Sequence, residues 1–287
     1  MNNHVTIQIE IQLKQYLTLL EQKLTGDVLT YYGPILDEYV PDFLQIIEQA
    51  SIDSKKHDDL FVMLTTLGGS PFAVERFVNI IRQHYKEVNF IVPDHAYSAG
   101  TIFCMSGDKI YMDYASVLGP IDPQVVNPSG RLVPALGYLD KIDELIQKSC
   151  KGTITQAEFF ILKDFDLAEL RSYEQAKELT IDQLKNWLVK YKFKNWNVHS
   201  KTGLPVTLED KQKRAEDIAA KLSDSKLWKS HGRPINMTIL TEQLKLQIED
   251  FGKDTKLKKL IRQYHSFVSD FVNKNNLTHF IQTRNFI

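Results

Sequence analysis

The stretch Leu64-Thr65-Thr66-Leu67-Gly68-Gly69-Ser70 decides the fold together with a later one, Tyr97-Ser98-Ala99-Gly100-Thr101. Each stands where a predicted strand ends and a predicted helix begins. The first follows the nearly continuous apolar strand Leu60 to Thr66 and leads into the helix Phe72 to Tyr85, and the second follows the strand Val88 to Val92. Uninterrupted apolar strands of this kind are typical of a parallel sheet buried on both faces. In open α/β sheets, functional sites collect where strands end and helices begin.

Strands and helices alternate on both sides of these stretches, over residues 28–123. The sequence predicts further strands at Val28 to Tyr32, Lys109 to Met112 and Ser116 to Leu118, and a helix at Tyr39 to Ala50. Such alternation implies right-handed βαβ crossovers and a parallel sheet with helices on both faces. The first half of the chain is therefore predicted to be α/β.

Beyond Pro134 the apolar residues follow a helical period, so the second half is predicted to be mainly helical. Helices are predicted at Leu136–Lys148, Thr155–Leu162, Leu167–Leu179, Ile181–Tyr191, Leu208–Leu222, Thr238–Phe251 and Thr255–Val272. No linker is long or polar enough to force a domain boundary. We expect three regions: an N-terminal helix that is an appendage (1–26), an α/β core (27–150), and a helical extension (151–287) whose segment 222–250 returns to the core.

The composition limits the classes of function that fit. Lysine and arginine total 35 against 36 acidic residues, so no global field attracts nucleic acid or an anionic membrane. The N-terminal residues show no signal-peptide pattern, and the longest nearly uncharged stretch, Asn89 to Gly107, holds too many polar residues to span a bilayer. Cys104 and Cys150 have no metal-ligand spacing and suit a reducing compartment. We expect a cytoplasmic protein without a membrane span, a metal or another cofactor.

The two glycine-marked turns offer the parts of a nucleophilic site. Ser98 stands just before a short helix, where the helix dipole and free backbone N–H groups favour a developing oxyanion. The Gly68-Gly69 turn can supply another N–H, because a backbone without a Cβ can approach a substrate carbonyl closely. Each feature also has a purely structural interpretation: Gly68-Gly69 as a tight strand-to-helix turn, and Ser98 as an N-cap.

A third motif, Val117-Leu118-Gly119-Pro120-Ile121-Asp122-Pro123-Gln124, completes an ordered set that resembles the Clp-fold serine peptidases of the ClpP/crotonase superfamily. The similarity is greatest to the serine dehydrogenase proteinase branch, which is akin to signal peptide peptidase A and the proteolytic subunit of Clp protease. The similarity covers residues 28–124. A second, weaker region of similarity at 222–235 contains Trp228-Lys229-Ser230-His231-Gly232-Arg233-Pro234-Ile235. The resemblance implies a ClpP/crotonase-like parallel sheet of ββα units with helices on both faces.

The resemblance also implies roles for single residues. Ser98 falls on the nucleophile, and Gly69 with the N–H of Ala99 falls on the oxyanion hole, in a turn shaped by Gly68. At the place of the catalytic histidine of the Clp subunit, this chain has Ile121-Asp122-Pro123. The general base must therefore come from elsewhere.

Two candidates for the base remain open. His231 lies in the weakly similar segment 222–235, and a histidine side chain titrates near neutrality without a strong influence from its surroundings. Lys141 stands where signal peptide peptidase-like enzymes return a lysine to the serine, and a lysine base needs burial. The alternative for each is structural: a solvated turn for His231 and the exposed face of a helix for Lys141. Asp122 can orient a base, although aspartate between isoleucine and proline is typical of a turn.

The remaining chemistry-bearing residues favour structural roles. Cys104 is interpreted as a core thiol. The basic run Lys256 to Arg262 places Leu257, Leu260 and Ile261 on one helix face, which favours a solvated helix over a nucleic-acid patch. His95 is expected to face the mouth of the site or to cap its turn.

The function predicted on this basis is a serine endopeptidase that acts on peptide or protein substrates through an acyl-enzyme at Ser98. Two alternatives are kept: a crotonase-type enzyme that stabilises the enolate of an acyl-CoA, and a degenerate Clp-fold scaffold that binds a partner. The resemblance further implies a homo-oligomer built from trimers. It leaves open whether an ATPase or regulatory partner is needed.

Overall fold

The computed structural model describes residues 3–126, 130 and 132–286. The strands are β1 (Asp27–Tyr32), β2 (Asp59–Thr65), β3 (Glu87–Ile91), β4 (His95–Ala96), β5 (Lys109–Met112), β6 (Val117–Leu118), β7 (Gln124–Val126), β8 (Leu132–Pro134), β9 (Ile235–Asn236), β10 (Glu249–Asp250) and β11 (Phe280–Gln282). The helices are α1 (Asn3–Leu24), α2 (Val40–Ser51), α3 (Pro71–His84), α4 (Ala99–Met105), α5 (Ala135–Cys150), α6 (Gln156–Lys163), α7 (Leu167–Trp187), α8 (Leu208–Ser223), α9 (Ser225–Trp228), α10 (Met237–Glu242) and α11 (Thr255–Lys274).

A six-stranded sheet in the order β10-β5-β3-β2-β1-β11 forms the centre of the molecule. All its neighbouring strands are parallel except β11, which pairs antiparallel with β1 at one edge. Strand β2 is almost wholly buried, as its apolar sequence predicts for a strand covered on both faces. The predicted α/β class with a mostly parallel sheet and helices is confirmed.

Successive side chains of β2 enter two separate cores because they point to opposite faces of the sheet. Leu60, Val62 and Leu64 belong to one core, which also contains residues of α2, α3, α4, α7 and α8. Phe61 and Met63 belong to the other core, which lies under α1 and α11. The sheet is thus sandwiched between two helical layers.

The expectation that the N-terminal helix is an appendage is wrong. Leu13, Leu17 and Leu20 of α1 are fully buried, and they pack in the core that Ile261 and Tyr264 of α11 also enter. Their spacing of three and four residues puts them on one helix face, which is completed only by a partner at the other end of the chain. The division into three regions stays a prediction.

The predicted helix Thr238–Phe251 is also wrong in its second half. Helix α10 ends at Glu242, and Glu249–Asp250 form β10, which runs parallel to β5. Between them leucine and isoleucine alternate with polar residues at Leu244, Leu246 and Ile248, a period of two that favours extended backbone.

The helical half differs from the prediction in two further places. The two helices predicted over residues 167–191 form one helix, α7, followed by a π-helical turn at Leu188–Lys192. Strand β11 was not predicted, because three residues at a sheet edge are too short to show a period. The second half thus supplies β10 and β11 to the six-stranded sheet, and β9 to a second sheet of three strands.

Two structural interpretations from the sequence are confirmed. Cys104 is fully buried, and burial raises the pKa of its thiol, so it is an inert part of the core. In α11, Leu257 and Ile261 are buried, so the apolar side of the basic run faces the interior.

Candidate active site

A second, three-stranded sheet of β4, β6 and β9 gathers the three segments that carry the candidate catalytic residues. Ala96 of β4 pairs with Leu118 of β6, which pairs with Ile235 of β9. Because β4 and β6 are parallel, Ser98 lies beyond the same end of this sheet as the segment after Leu118. Because β9 is antiparallel, the residues that precede Ile235 lie at that end as well. The register therefore directs Ser98, Asp122 and His231 toward one region.

Ser98 forms a strained elbow between β4 and α4. Its φ of 51° and ψ of -116° lie outside the regions that non-glycine residues normally occupy. Ser98 stands at the N-cap position of α4, yet its side chain accepts no hydrogen bond from that helix, all of whose residues are described. The hydroxyl is half-buried and is not used as a cap. Strain of this kind is characteristic of functional positions held by their surroundings.

The Gly68-Gly69 turn lies directly against this elbow. A Cβ on Gly68 would stand 2.9 Å from the Cβ of Ser98 and 3.4 Å from the backbone nitrogen of Ala99. Gly69 has a φ of +150°, and a Cβ there would lie 2.0 Å from the carbonyl oxygen of Ile35. Both positions thus require glycine.

The backbone around the turn leaves two N–H groups uncommitted. Ile35 donates to the carbonyl of Gly68 at 2.9 Å and accepts from the N–H of Ser70 at 2.8 Å. Within the described ranges, neither Gly69 nor Ala99 donates its backbone N–H to another backbone group. Uncommitted backbone N–H groups near a serine are the kind of donor from which an oxyanion hole is built.

Thr101 fastens the serine elbow to the segment that leads to Asp122. Its buried hydroxyl lies 2.8 Å from the carbonyl oxygen of Ala96 and 2.9 Å from that of Gly119, and it accepts the N–H of Gly119 at 3.0 Å. The hydroxyl has one proton, which it gives to one of the two carbonyls at a time. The contact fixes the end of β4 relative to the end of β6.

His231 and Asp122 form a hydrogen-bonded pair although 109 residues separate them. The Nδ1 atom of His231 lies 2.8 Å from Oδ1 of Asp122, whose side chain is 2 % exposed. Gln124 donates to the other oxygen of Asp122 at 3.0 Å. A carboxylate that accepts from Nδ1–H leaves Nε2 unprotonated and free to take a proton. Asp122 therefore orients His231 as well as forming a turn.

One backbone hydrogen bond, one side-chain hydrogen bond and a helix end fix the surroundings of the loop that carries His231. Ile121 donates to the carbonyl of Leu222 at 3.0 Å, which ties the segment of Asp122 to the end of α8. The indole of Trp228 donates to Lys221 at 2.7 Å, and Lys229 ends α9 in a left-handed conformation. Thus α8 and α9 position the histidine.

The structure places Lys141 differently. It lies on α5 with 55 % of its side chain exposed, and its ammonium donates to Glu144 one turn later at 2.9 Å. A lysine acts as a base when burial disfavours its charged form, and neither the exposure nor the ion pair provides that. The described geometry brings a carboxylate to His231 and leaves Lys141 on a solvated helix face.

Further histidines lie near the mouth of the site. His95 contacts Asp94 at 3.0 Å and stacks on the ring of Tyr97. His265 of α11 lies 3.1 Å from the hydroxyl of Thr65 at the end of β2. Burial lowers the pKa of His265 to about 4, with smaller effects from Asp94, which raises it, and from Arg262 and His95, which lower it.

We expect His265 to make the fold sensitive to acid. Its pKa is lower in the folded state than the 6.5 of an unperturbed histidine, so the unfolded state binds more protons between these values. The free energy of unfolding therefore keeps its full value with respect to His265 above pH 6.5. It falls by at most about 3 kcal/mol as the pH drops toward 4. Urea unfolding of His265→Gln at several pH values should show a flatter profile than wild type. The control is His84→Gln, on α3; an unchanged slope in His265→Gln contradicts the prediction.

Neither a metal site nor a membrane helix is found among the described residues. No group of three or more histidine, cysteine, aspartate or glutamate side chains in that part of the chain is arranged to hold a metal ion. None of the helices described combines the length and apolar character needed to cross a bilayer.

Comparison with known proteins gives the class that this fold and site define. Residues 42–205 match the family described as ClpP-like SDH-type serine proteinase. This stretch is more than half of the chain, and the chain belongs to that family. The matched range contains Ser98, Asp122 and Lys141 and ends before His231.

Individual relatives add little about activity. Two uncharacterized proteins of Methanocaldococcus jannaschii are 32 % and 30 % identical to the chain over 131 and 129 residues, or 44 % and 42 % of it. The matches span 45 % and 43 % of those relatives, less than half of their length. A solved structure of a mutant of the 1510-N membrane-bound stomatin-specific protease is 23 % identical, with a TM-score of 0.33, and covers 63 % of this chain and 90 % of its own.

Proposed function

We propose that the protein is a serine endopeptidase in which Ser98, His231 and Asp122 act together. The observation that carries the proposal is the buried Asp122 bound to Nδ1 of His231, at the same end of the small sheet as the strained Ser98. Membership in a serine proteinase family supports the reaction class. Lys141 is the weaker candidate, because it is exposed and paired with Glu144.

The proposed reaction runs through an acyl-enzyme. Nε2 of His231 takes the proton of Ser98 Oγ as this oxygen attacks the peptide carbonyl, and the N–H groups of Gly69 and Ala99 receive the oxyanion. The C–N bond then breaks while His231 returns the proton to the leaving amine. A water molecule, deprotonated by His231, then attacks the ester; the bond between the acyl carbon and Ser98 Oγ breaks while His231 returns the proton to Oγ, which releases the acid product and restores the serine. Asp122 stabilises the imidazolium in both halves.

An activity-based probe tests the proposal directly. A fluorophosphonate modifies only an activated serine, so the wild-type protein should be labelled at Ser98, as peptide mass mapping can verify. Labelling should disappear in Ser98→Ala and fall strongly in His231→Ala. If the folded wild-type protein is not labelled, the site is inactive in this form, and the scaffold and acyl-CoA alternatives replace the peptidase.

We further propose that the protein assembles into trimers or multiples of them. Helix α6 exposes about half of each of the side chains of Phe159, Phe160 and Ile161, and several large exposed apolar side chains on one short helix can mark an interaction surface. Sedimentation at micromolar concentration should give a trimer-based species, and Phe159→Ser with Phe160→Ser should dissociate it. A monomer of 33.2 kDa in the wild type contradicts the prediction. The test uses the purified protein alone, so its result depends neither on a cytoplasmic location nor on an ATPase or regulatory partner.

A further inference from the structure

A groove of about 1000 Å³ lies between α5, α7, the end of α8 and α9. Its apolar lining includes Leu139, Ile142 and Ile146 of α5, with Ile181 of α7 opposite them. Ile142 is buried, whereas 45 % of Ile146 is exposed. The groove thus offers an open apolar floor to a ligand.

The rim of the groove is acidic. Six carboxylates and three basic side chains line it, an excess of negative charge. Arg171 is neutralised by Glu174 and Glu178, and Lys226 by Asp140. Asp143 and Asp182, both exposed, form no ion pair with any residue in the described ranges. These two carboxylates are available to a cation from outside, with Lys226 the cation of the chain that interacts electrostatically with Asp143 and Lys177 the third basic side chain of the rim.

One end of the groove is attached to the segment that carries Asp122. Ala135, the first residue of α5, donates to the carbonyl of Pro123 at 2.9 Å. Leu222 of α8 accepts from Ile121 at 3.0 Å. The residues that follow these two anchors on their helices, Leu136 and Ser223, line the groove. The helices that form the groove are therefore anchored, at this end, to the segment that carries Asp122.

We propose that this groove binds a positively charged segment of the polypeptide substrate. The proposal rests on the peptidase function and adds the class of substrate. An acidic rim over an apolar floor matches lysine and arginine, whose aliphatic stems pack on apolar surface while their charges stay at the rim. Opposite charge also speeds the encounter and disfavours acidic segments. Nucleic acid is repelled by the same carboxylates.

Binding is measured apart from catalysis with the Ser98→Ala protein. The probes are a fluorescent peptide with lysine and leucine in a glycine-serine background and its counterpart with glutamate in place of every lysine. By fluorescence anisotropy at low salt, we expect the lysine peptide to bind at least about tenfold more tightly, a preference that shrinks as salt screens the charges. Equal affinity for the two peptides overturns the proposal.

Charge reversal locates the interaction. Asp143→Lys with Asp182→Lys should remove most of the preference for the lysine peptide, and Asp143→Asn with Asp182→Asn should remove part of it. The control is Glu48→Lys with Asp270→Lys, which makes the same charge change on exposed positions of α2 and α11. If this control lowers the preference as much as the groove variants do, the effect is the overall charge of the protein and the groove proposal fails.

The combined results distinguish a failure of the groove proposal from a failure of the peptidase proposal. If the wild type is not labelled by a fluorophosphonate and cleaves neither peptide, while the lysine preference still depends on Asp143 and Asp182, the peptidase proposal fails and the docking site stands. If the wild type cleaves both peptides with equal kcat/KM and the Ser98→Ala protein with an intact groove binds both peptides alike, the peptidase stands and the groove proposal fails.

Discussion

Replacing Ser98 with alanine should lower peptide or casein cleavage by about 10³-fold or more, because the acyl-enzyme cannot form without the hydroxyl. The fold should persist, since the side chain caps nothing in α4 and the change removes a single oxygen atom. The measurement is kcat/KM on one peptide, with far-UV circular dichroism and thermal unfolding to verify the fold.

A matched serine elsewhere gives the control for Ser98→Ala. Ser51 ends α2, and its hydroxyl donates to the carbonyl of Glu48 in its own helix. Ser51→Ala should keep its activity within about twofold of wild type, as expected for a surface change away from the site. Full cleavage by purified Ser98→Ala ends the assignment of Ser98 as the nucleophile.

The sequence predicted that Ser98 lies close to the Gly68-Gly69 turn, because this proximity follows from the order of neighbouring strands along the chain. Gly68 and Gly69 follow the buried strand β2 directly, and Ser98 comes a few residues after the next strand of the same sheet, β3, so the order of motifs along the chain is enough to predict neighbouring turns. Parallel strands end at the same edge of a sheet, which makes such turns neighbours without any knowledge of register.

The sequence alone does not distinguish His231 from Lys141 as the proposed general base, and the reason is physical. His231 reaches Asp122 through the pairing of β6 with β9, and both strands have only two residues. A two-residue strand has no detectable period, so no pattern predicts its partner or its register. The signals were the weak resemblance of the segment that contains His231, the histidine itself and an aspartate placed between isoleucine and proline.

The errors about α1 and about the second half of the chain have a related origin. Helical spacing in α1 predicts an apolar face but does not show what covers it, and the cover is α11, at the far end of the chain. Contacts between elements so distant in sequence leave no local trace. The same holds for β10 and β11, which join the edges of a sheet whose centre is built from the first half.

The final expectation concerns the base. If His231 takes the proton of Ser98, His231→Ala should lower kcat/KM about as much as Ser98→Ala, and the double variant should be no worse, because residues that act as one unit are not additive. Asp122→Asn should cost on the order of 10³-fold, since the neutral amide carries no charge to stabilise the imidazolium and its NH2 group can donate to Nδ1, which favours the tautomer protonated at Nε2. Lys141→Ala should stay near wild type.

The pH profile gives an independent measurement of the same point. With a histidine base, activity should be lost in acid, because imidazolium cannot accept a proton. A lysine base instead needs the neutral amine, so activity would rise at clearly alkaline pH and Lys141→Ala would be the inactive variant. That pattern would contradict the role of His231. It would also require Lys141 to leave Glu144 and become buried, a rearrangement of α5 that a structure of an inhibitor complex would reveal.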